Sequence, residues 1–585
     1  MISFQFKRFI KNPVIIVVYV ACLCYVTYMI KQNNADSMNI QRWAMYSIQK
    51  AEIFFAVFLI LSYYFSSAMI KNRMYEITSG SNKALFLFHL STFILFSIFA
   101  IIITLIYSTY ACWIVVKTIE EDQGAWIRII LKNYGYQFFL PQIFAILAGI
   151  GVSRIKKNLT AYTMITVIYT LFSSFFVNII GNYTWYSRII ELFGSLLSIM
   201  TKQYDWMLDG YYMFSAEFFN FQKIFIWILV SVGICFCCFS RKKFNIIGVA
   251  ALTAAVVMFL VYAQPYSYYY YDGCVPDRGE SELYYQHKKY GKMMGRELKK
   301  KKAKFKIEKI SGNIDIDRQL SADVVLSLKK SETTEYIFTL NHRYKISSIK
   351  VDGKPVSFEQ RGDNVYIDYH QSGVKTIEFI YSGFSLQYFS GSQATFLPGY
   401  HAYIPYPGFV KLWQGYEDGE KMKDGNTFLG SEDNYCGIGY KIDYDLQIYN
   451  NKKIYTNLKE TGNGRFTGKS DGVTILSSEF AHELEVGSNK IIVSSYFTSE
   501  MKLTDAAKMY QEWVDSFKYK KYLKGKKVFL SPRTEKAYFF SDDYILIPEG
   551  GLEEYEEYLK KGKYPGTTLK EHEAELEMLK KAEEK

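Results

Sequence analysis

Hydrophobic and polar positions divide the chain into two unlike halves. Up to residue 263, long uncharged stretches alternate with short polar ones. Beyond it, apolar and polar residues alternate singly. The last long stretch, Asn245–Ala263, has 19 residues and no charge, about the length of α-helix that crosses a bilayer core. Six more precede it, at about 13–30, 51–70, 86–116, 136–153, 159–180 and 224–240. The third, at 31 residues, exceeds one bilayer and reads as a span with an external helical extension. From Ala303 the period changes to two, in KFKIEKI, ADVVLSL, YKISSIKVDGKPVSF, NVYIDYH and VKTIEFIYSG, and later in YDLQIYN, GVTILSS and NKIIVSSYF. Asp352-Gly353 marks a hairpin, because a type I′ turn needs positive φ at both central residues.

This pattern predicts a polytopic α-helical membrane domain of seven spans, N-terminus in and C-terminus out. A mostly antiparallel β domain and a small α/β part follow. The expected boundaries are 1–263 for the membrane domain, 264–302 for a linker helix, 303–500 for the β domain and 501–585 for the C-terminal part, whose helix Thr504–Lys518 takes Thr504 as its N-cap. The tyrosines of YSYYYYDG (Tyr266–Gly273) suit a membrane interface. The run Lys299–Lys302 reads as a solvated linker face or as attraction to an anionic surface.

Charge sets the expected orientation. Lys7, Arg8, Lys11, Lys71, Arg73, Lys83, Arg154, Lys156, Lys157, Arg241, Lys242 and Lys243 crowd one set of loops against Glu76 alone. The other loops, 31–50, 117–135 and 181–223, carry nine basic and eight acidic residues. An excess of Lys and Arg marks the cytoplasmic side, so the expected location is the plasma membrane, with the C-terminal half extracellular. The net charge of +12 is largely accounted for by these loops and the lysine run, and gives no reason to expect a nucleic-acid partner. The N-terminal MISFQFKRFIKNP could open a signal peptide, but no small-x-small site follows, so it is expected to stay as an anchor. Within the spans, Glu52 is expected at an interface, and His89 as a near-interface histidine rather than a proton relay.

Six of the eight cysteines, Cys22, Cys24, Cys112, Cys235, Cys237 and Cys238, lie in hydrophobic spans as small apolar side chains. Cys274 and Cys436 fall outside. Their pairing stays open: two cysteines on the expected oxidising side suggest a disulfide, while their spacing says nothing of distance.

The loop KNRMYEITSGSNK (Lys71–Lys83) is the longest inner connection between spans, either a plain connector or one to two helical turns. A basic amphipathic N-terminal helix, six spans and this charged loop resemble the permease of a type-2 ABC exporter; the seventh span departs from that layout. The resemblance implies that Arg73, Met74, Tyr75, Glu76 and Ser79 couple to a separate ABC ATPase subunit. It further implies pairing with a second permease copy or a relative among membrane lipids, with ATP and Mg²⁺ on the partner and no cofactor in this chain. The apolar patch IIELFGSLLSIM (Ile189–Met200) resembles that family's partly re-entrant helices.

The strands ISSIKVDGKPVSF, NVYIDY and KTIEFIYSG, followed by FLPGYHAYIPYPGF (Phe396–Phe409), resemble the N-terminal β domain of aminopeptidase N-like zinc peptidases. The resemblance covers about 303–550. The metal motif is missing: a zincin needs histidines at i and i+4 with a glutamate beside the first. His482-Glu483-Leu484-Glu485-Val486 and His572-Glu573-Ala574-Glu575-Leu576 both lack the second histidine, and Gly550-Gly551-Leu552-Glu553-Glu554 is a poor match to the family's substrate loop. GRFTGKS lacks the P-loop's first glycine, since Asn463 stands there. Zinc-peptidase and ATPase activities are therefore not expected of this chain. The aromatics Tyr400, Tyr403, Tyr406, Phe409, Trp413 and Tyr416 either pack in the β domain or line a groove for an extended peptide.

Two readings follow. The first is a permease subunit of an ABC exporter for peptides or other amphipathic compounds, with a non-catalytic, substrate-binding or sensing outer domain. The second is a non-transporting receptor or scaffold that displays the same domain.

Overall fold

A computed structural model describes residues 2–36, 48, 50–71, 82–119, 121–173, 176, 188–200, 210–212, 217–239, 245–264, 301–384, 388–410, 438–495, 503–516, 524–531, 539–541 and 543–548. The chain divides into two units, Met1–Trp206 with Phe214–Gln264, and Met207–Met213 with Pro265–Lys585.

The first unit is helical: α1 Ile2–Ile10, α2 Pro13–Asp36, α3 Ala51–Lys71, α4 Asn82–Thr118, α5 Gln123–Asn133, α6 Leu140–Val152, α7 Asn158–Phe172, α8 Arg188–Leu197, α9 Phe218–Phe239 and α10 Asn245–Tyr262. Segments Ser3–Ile10 and Ile15–Tyr25 meet at 86°. The bend sits where Pro13, lacking an N–H, can open a helix but not continue one, and where the Ile15 N–H is capped by Asn12 Oδ1 at 3.4 Å. The stretch expected as a span from 136 begins earlier. Arg128 and Lys132 interrupt its hydropathy, yet Trp126, Ile129, Ile130 and Asn133 bury one helical face. A π-turn, Tyr134–Phe139, then joins α5 to α6. It falls just before Pro141, whose ring would clash with the carbonyl four residues back in an unbroken α-helix.

Five segments are long and apolar enough to cross a membrane: Ala51–Ala68, Ala84–Lys117, Gln123–Val152, Phe218–Cys237 and Asn245–Tyr262. The bent N-terminal pair would make a sixth, and Asn158–Phe172 is a shorter apolar helix of 15 residues. Among the described residues this makes at most six beside the seven expected; of the fifth expected stretch, 159–180, only the residues to Ser173 and Phe176 are described.

In the second unit the period-two pattern becomes strands. They are β1 Ile307–Ile316, β2 Leu320–Leu328, β3 Tyr336–Thr339, β4 Tyr344–Val351, β5 Lys354–Pro355, β6 Phe358–Arg361, β7 Asn364–Ile367, β8 Thr376–Gly383, β9 Ala394–Leu397 and β10 Tyr406–Pro407. There follow β11 Ile442–Tyr449, β12 Ile454–Thr456, β13 Lys459–Gly462, β14 Arg465–Ser470, β15 Ile475–Ser478, β16 Ala481–Val486, β17 Asn489–Ser494, helix α11 Leu503–Ser516, β18 Lys527–Ser531, β19 Phe539–Phe540 and β20 Tyr544–Pro548. The eight-stranded sheet runs β13-β14-β11-β1-β2-β8-β4-β5, antiparallel except for β1 beside β11. On β2 every second residue, Leu320 to Leu328, is buried. Asp352 and Gly353 take φ of 46° and 79°, and Asp352 Oδ1 also accepts from the N–H of Thr376 at 2.8 Å, tying the turn to β8.

Two smaller sheets, β10-β3-β7-β6 and β12-β15-β9, complete the β region. The last sheet, β16-β17-β18-β20-β19, crosses the boundary expected at 500: β17, α11 and β18 form a β-α-β crossover between parallel strands. Thr504 lies inside α11 instead of capping it. Just before the strands, Lys301 pairs with Phe409 in an isolated β-bridge. One core of Ile310, Val324, Phe338, Phe379, Phe396, Leu446 and Phe529 runs under these sheets, and it includes Tyr211 and Tyr212.

Candidate functional site

The amphipathic α1 is fastened to the two helices that bracket residues 72–81. Gln5 Nε2 donates to Thr92 Oγ1 on α4 at 3.0 Å, and Arg8 Nη1 donates to the Phe65 carbonyl on α3 at 2.9 Å. The Arg8 guanidinium also lies 4.6 Å from the Phe65 ring centroid. Phe9 joins the cluster, 4.8 Å from the Phe99 ring. Sequence reading took α1 as a basic amphipathic helix and did not foresee these bonds. The missed signal was Gln5, a polar residue on the apolar face between Phe4 and Phe6, which is fully buried. Arg73, Met74, Tyr75, Glu76 and Ser79 lie outside the described residues. Glu52, at the start of α3, is buried and accepts a hydrogen bond from Tyr169 Oη at 3.2 Å. His89 is buried on α4, its ring edge-on to Phe88 at 5.6 Å.

In the second unit Tyr400, Tyr403 and Tyr406 are buried. Tyr403 Oη donates to the Val473 carbonyl at 2.5 Å, Tyr406 Oη to the Gly399 carbonyl, and Tyr388 Oη meets Tyr400 Oη at 3.3 Å. Their contacts are with the protein's own residues, and an extended peptide would have to displace those. Trp413, Tyr416, Cys274 and Cys436 lie outside the described residues, as does His572.

The two motif fragments fall on strands. His482 and Glu483 stand on β16, where side chains alternate across the sheet and cannot form a zincin helix face. Glu483 is taken up by Lys490 at 2.8 Å and Lys527 at 3.1 Å, which hold its carboxyl below the usual range against the effect of burial. Of GRFTGKS, Arg465–Ser470 forms β14, with Arg465 bidentate on Asp445 at 2.7 and 2.9 Å. Among the described residues no group of three or more His, Cys, Asp or Glu side chains is placed to hold a metal ion.

A buried polar cluster lies beside the aromatic stretch. Asp363 Oδ1 accepts from the His342 N–H at 2.7 Å and stands 2.9 Å from His342 Nδ1. Burial pushes the Asp363 carboxyl up to about 7 and His342 down to about 3. His401, with its ring 4.8 Å from Tyr388, is likewise pushed down to about 3 by burial and then by His342.

The unit also holds a short segment from far upstream. Tyr211 Oη donates to the Leu530 carbonyl at 2.7 Å and lies 3.2 Å from that of Ile492. The Tyr211 carbonyl accepts from Ser478 Oγ at 2.6 Å, and that of Tyr212 from Gln393 Nε2. The Tyr212 ring packs on Phe389 at 5.4 Å. Nothing in the local pattern of DGYYM distinguishes this segment from an ordinary interface belt of tyrosines.

No family model and no curated protein matches the chain. Among solved structures, native leukotriene A4 hydrolase from Saccharomyces cerevisiae matches over 42% of this chain and 41% of its own, at 12% identity and TM-score 0.28. The M1 zinc metallopeptidase from Deinococcus radiodurans matches over 43% and 62%, at 12% identity and TM-score 0.27. A mutant of that peptidase bound to a Tyr-Ser-Ala substrate matches over 42% and 61%, at 11% identity and TM-score 0.28. The chain thus spans less than two thirds of the length of each. No residue role follows from so distant a likeness.

Proposed function

We propose that this chain is the membrane permease subunit of an ATP-driven ABC exporter, carrying a non-catalytic outer domain that binds or senses what is moved. The observation that carries the proposal is the fastening of α1. A basic amphipathic helix turns by 86° into the next helix and is bonded to both helices that bracket the Lys71–Lys83 loop, through Arg8–Phe65 and Gln5–Thr92. An element pushed at that loop would move α1, α3 and α4 together. In this reading a partner ATPase, holding ATP and Mg²⁺, docks on Arg73, Met74, Tyr75, Glu76 and Ser79. Two such permeases, or one and a relative, then alternate their opening, with the C-terminal unit outside the plasma membrane.

Co-purification from native membranes followed by reconstitution tests this. An ABC ATPase should accompany the protein. Glu76→Lys, or deletion of Tyr75-Glu76, should lower stimulated ATP turnover at least tenfold while the protein's thermal unfolding stays unchanged. Purification with no ATPase, or full stimulation by the variants, would leave the scaffold reading in its place.

A further inference from the structure

The segment around Tyr211 is held as a receptor holds a peptide. We propose that the C-terminal unit contains a socket for a tyrosine-bearing extended peptide, and that Gly210–Tyr212 is the tethered ligand that fills it.

Three observations carry this. First, the segment belongs by its packing to the C-terminal unit, whereas the helices on either side of it in sequence, α8 and α9, belong to the other. Second, the grip is a peptide grip: consecutive carbonyls, Tyr211 and Tyr212, are taken by Ser478 Oγ and Gln393 Nε2, groups that recognise backbone whatever the side chain. Third, the side-chain pocket is specific. The Tyr211 hydroxyl meets the carbonyls of Leu530 and Ile492 on neighbouring parallel strands, β18 and β17. A hydroxyl held at two carbonyls favours a phenol over a phenyl ring, since phenylalanine would lose both contacts. The residues that make the socket run from Phe389 to Leu530, all within the C-terminal unit.

Tethering explains how such a site stays full. A ligand on a short chain has an effective concentration of about millimolar, so even modest intrinsic affinity keeps it bound. The same arithmetic makes the site releasable, because a competing tyrosine peptide, or a pull on the loop, need overcome only that modest affinity.

The test uses the full chain in detergent. Tyr211→Ala with Tyr212→Ala empties the socket. A fluorescent peptide of residues 207–213, MLDGYYM, should then bind saturably to the double variant and at least tenfold more weakly to the unaltered chain. The same peptide with phenylalanine at the Tyr211 position should lose about tenfold. Amide exchange at Asn489–Ser494 and Lys527–Ser531 should speed up in the variant and slow again with peptide, while β1 and β2 stay protected. A double variant that keeps β1 and β2 protected but binds no peptide overturns the proposal, as does equal binding by the unaltered chain. If the double variant loses protection throughout, Ser478→Ala with Gln393→Ala decides. That pair keeps both tyrosine rings and removes only the carbonyl grips, so exchange at β17 should rise severalfold; unchanged exchange there overturns the socket.

Discussion

Burial holds His401 neutral, and the consequence is a defined response to acid. Its Nε2 has no hydrogen-bond partner among the described residues, so no bond stabilises a charged ring. The folded value of about 3 lies below the ordinary histidine value of about 6.5. A depressed histidine contributes stability that is fully present above the unfolded value and lost as pH falls towards the folded one. The neighbouring His342–Asp363 pair does not add to this slope. Whether it is neutral His with protonated Asp or imidazolium with carboxylate, it holds one proton in the fold, and one in the unfolded chain between about pH 4 and 6.5. We therefore expect stability to fall by as much as about 1.4 kcal/mol per pH unit between pH 6.5 and 4 on account of His401. His401→Phe should remove that part of the slope. Thermal unfolding of both proteins across the range checks it, and parallel curves would contradict it.

At the scale of elements, glycine decides how closely two helices approach. A Cβ on Gly149 of α6 would stand 2.4 Å from the Leu59 carbonyl oxygen, 3.0 Å from the Tyr63 nitrogen and 2.0 Å from Ser62 Oγ, all on α3. The first two are backbone atoms and cannot turn away, so the helices must part. A Cβ on Gly151, two residues on, meets only Cys235 Sγ at 3.7 Å, an ordinary contact. Gly149→Ala should destabilise by about 1–3 kcal/mol and Gly151→Ala by much less, read as thermal unfolding in detergent. Equal effects would show that helix propensity, not the α3–α6 approach, governs both. The β4–β5 hairpin was legible in advance because Asp-Gly meets a purely local demand for positive φ. The early start of α5 and the π-turn before Pro141 were not, since both depend on which face of the helix finds a partner.

For the whole molecule, sidedness is the proposal that loop charge makes and that chemistry can check. Lys156 and Ser372 are both exposed, so reactivity of a cysteine at either position reports access and not burial. A membrane-impermeant thiol reagent on intact cells should label Ser372→Cys and spare Lys156→Cys until the membrane is opened. Labelling of Lys156→Cys in intact cells would reverse the orientation and remove the outer placement of the C-terminal unit.

The sequence by itself determined what repeats at short range. Uncharged runs became apolar helices, alternation became strands, and Asp352-Gly353 became a turn. His482-Glu483, an incomplete motif in the sequence, lies on strand β16. Tertiary structure decided what depends on distant partners. Tyr400, Tyr403 and Tyr406 spell the same for a groove as for a core, and burial placed them inside. Gln5 and Arg8 gained their role from Thr92 and Phe65, tens of residues away. The extreme case is Tyr211, whose acceptors lie 281 and 319 residues downstream. Periodicity records only which side of its own element a residue faces. Which other element covers that side is settled by packing, and no local pattern carries it.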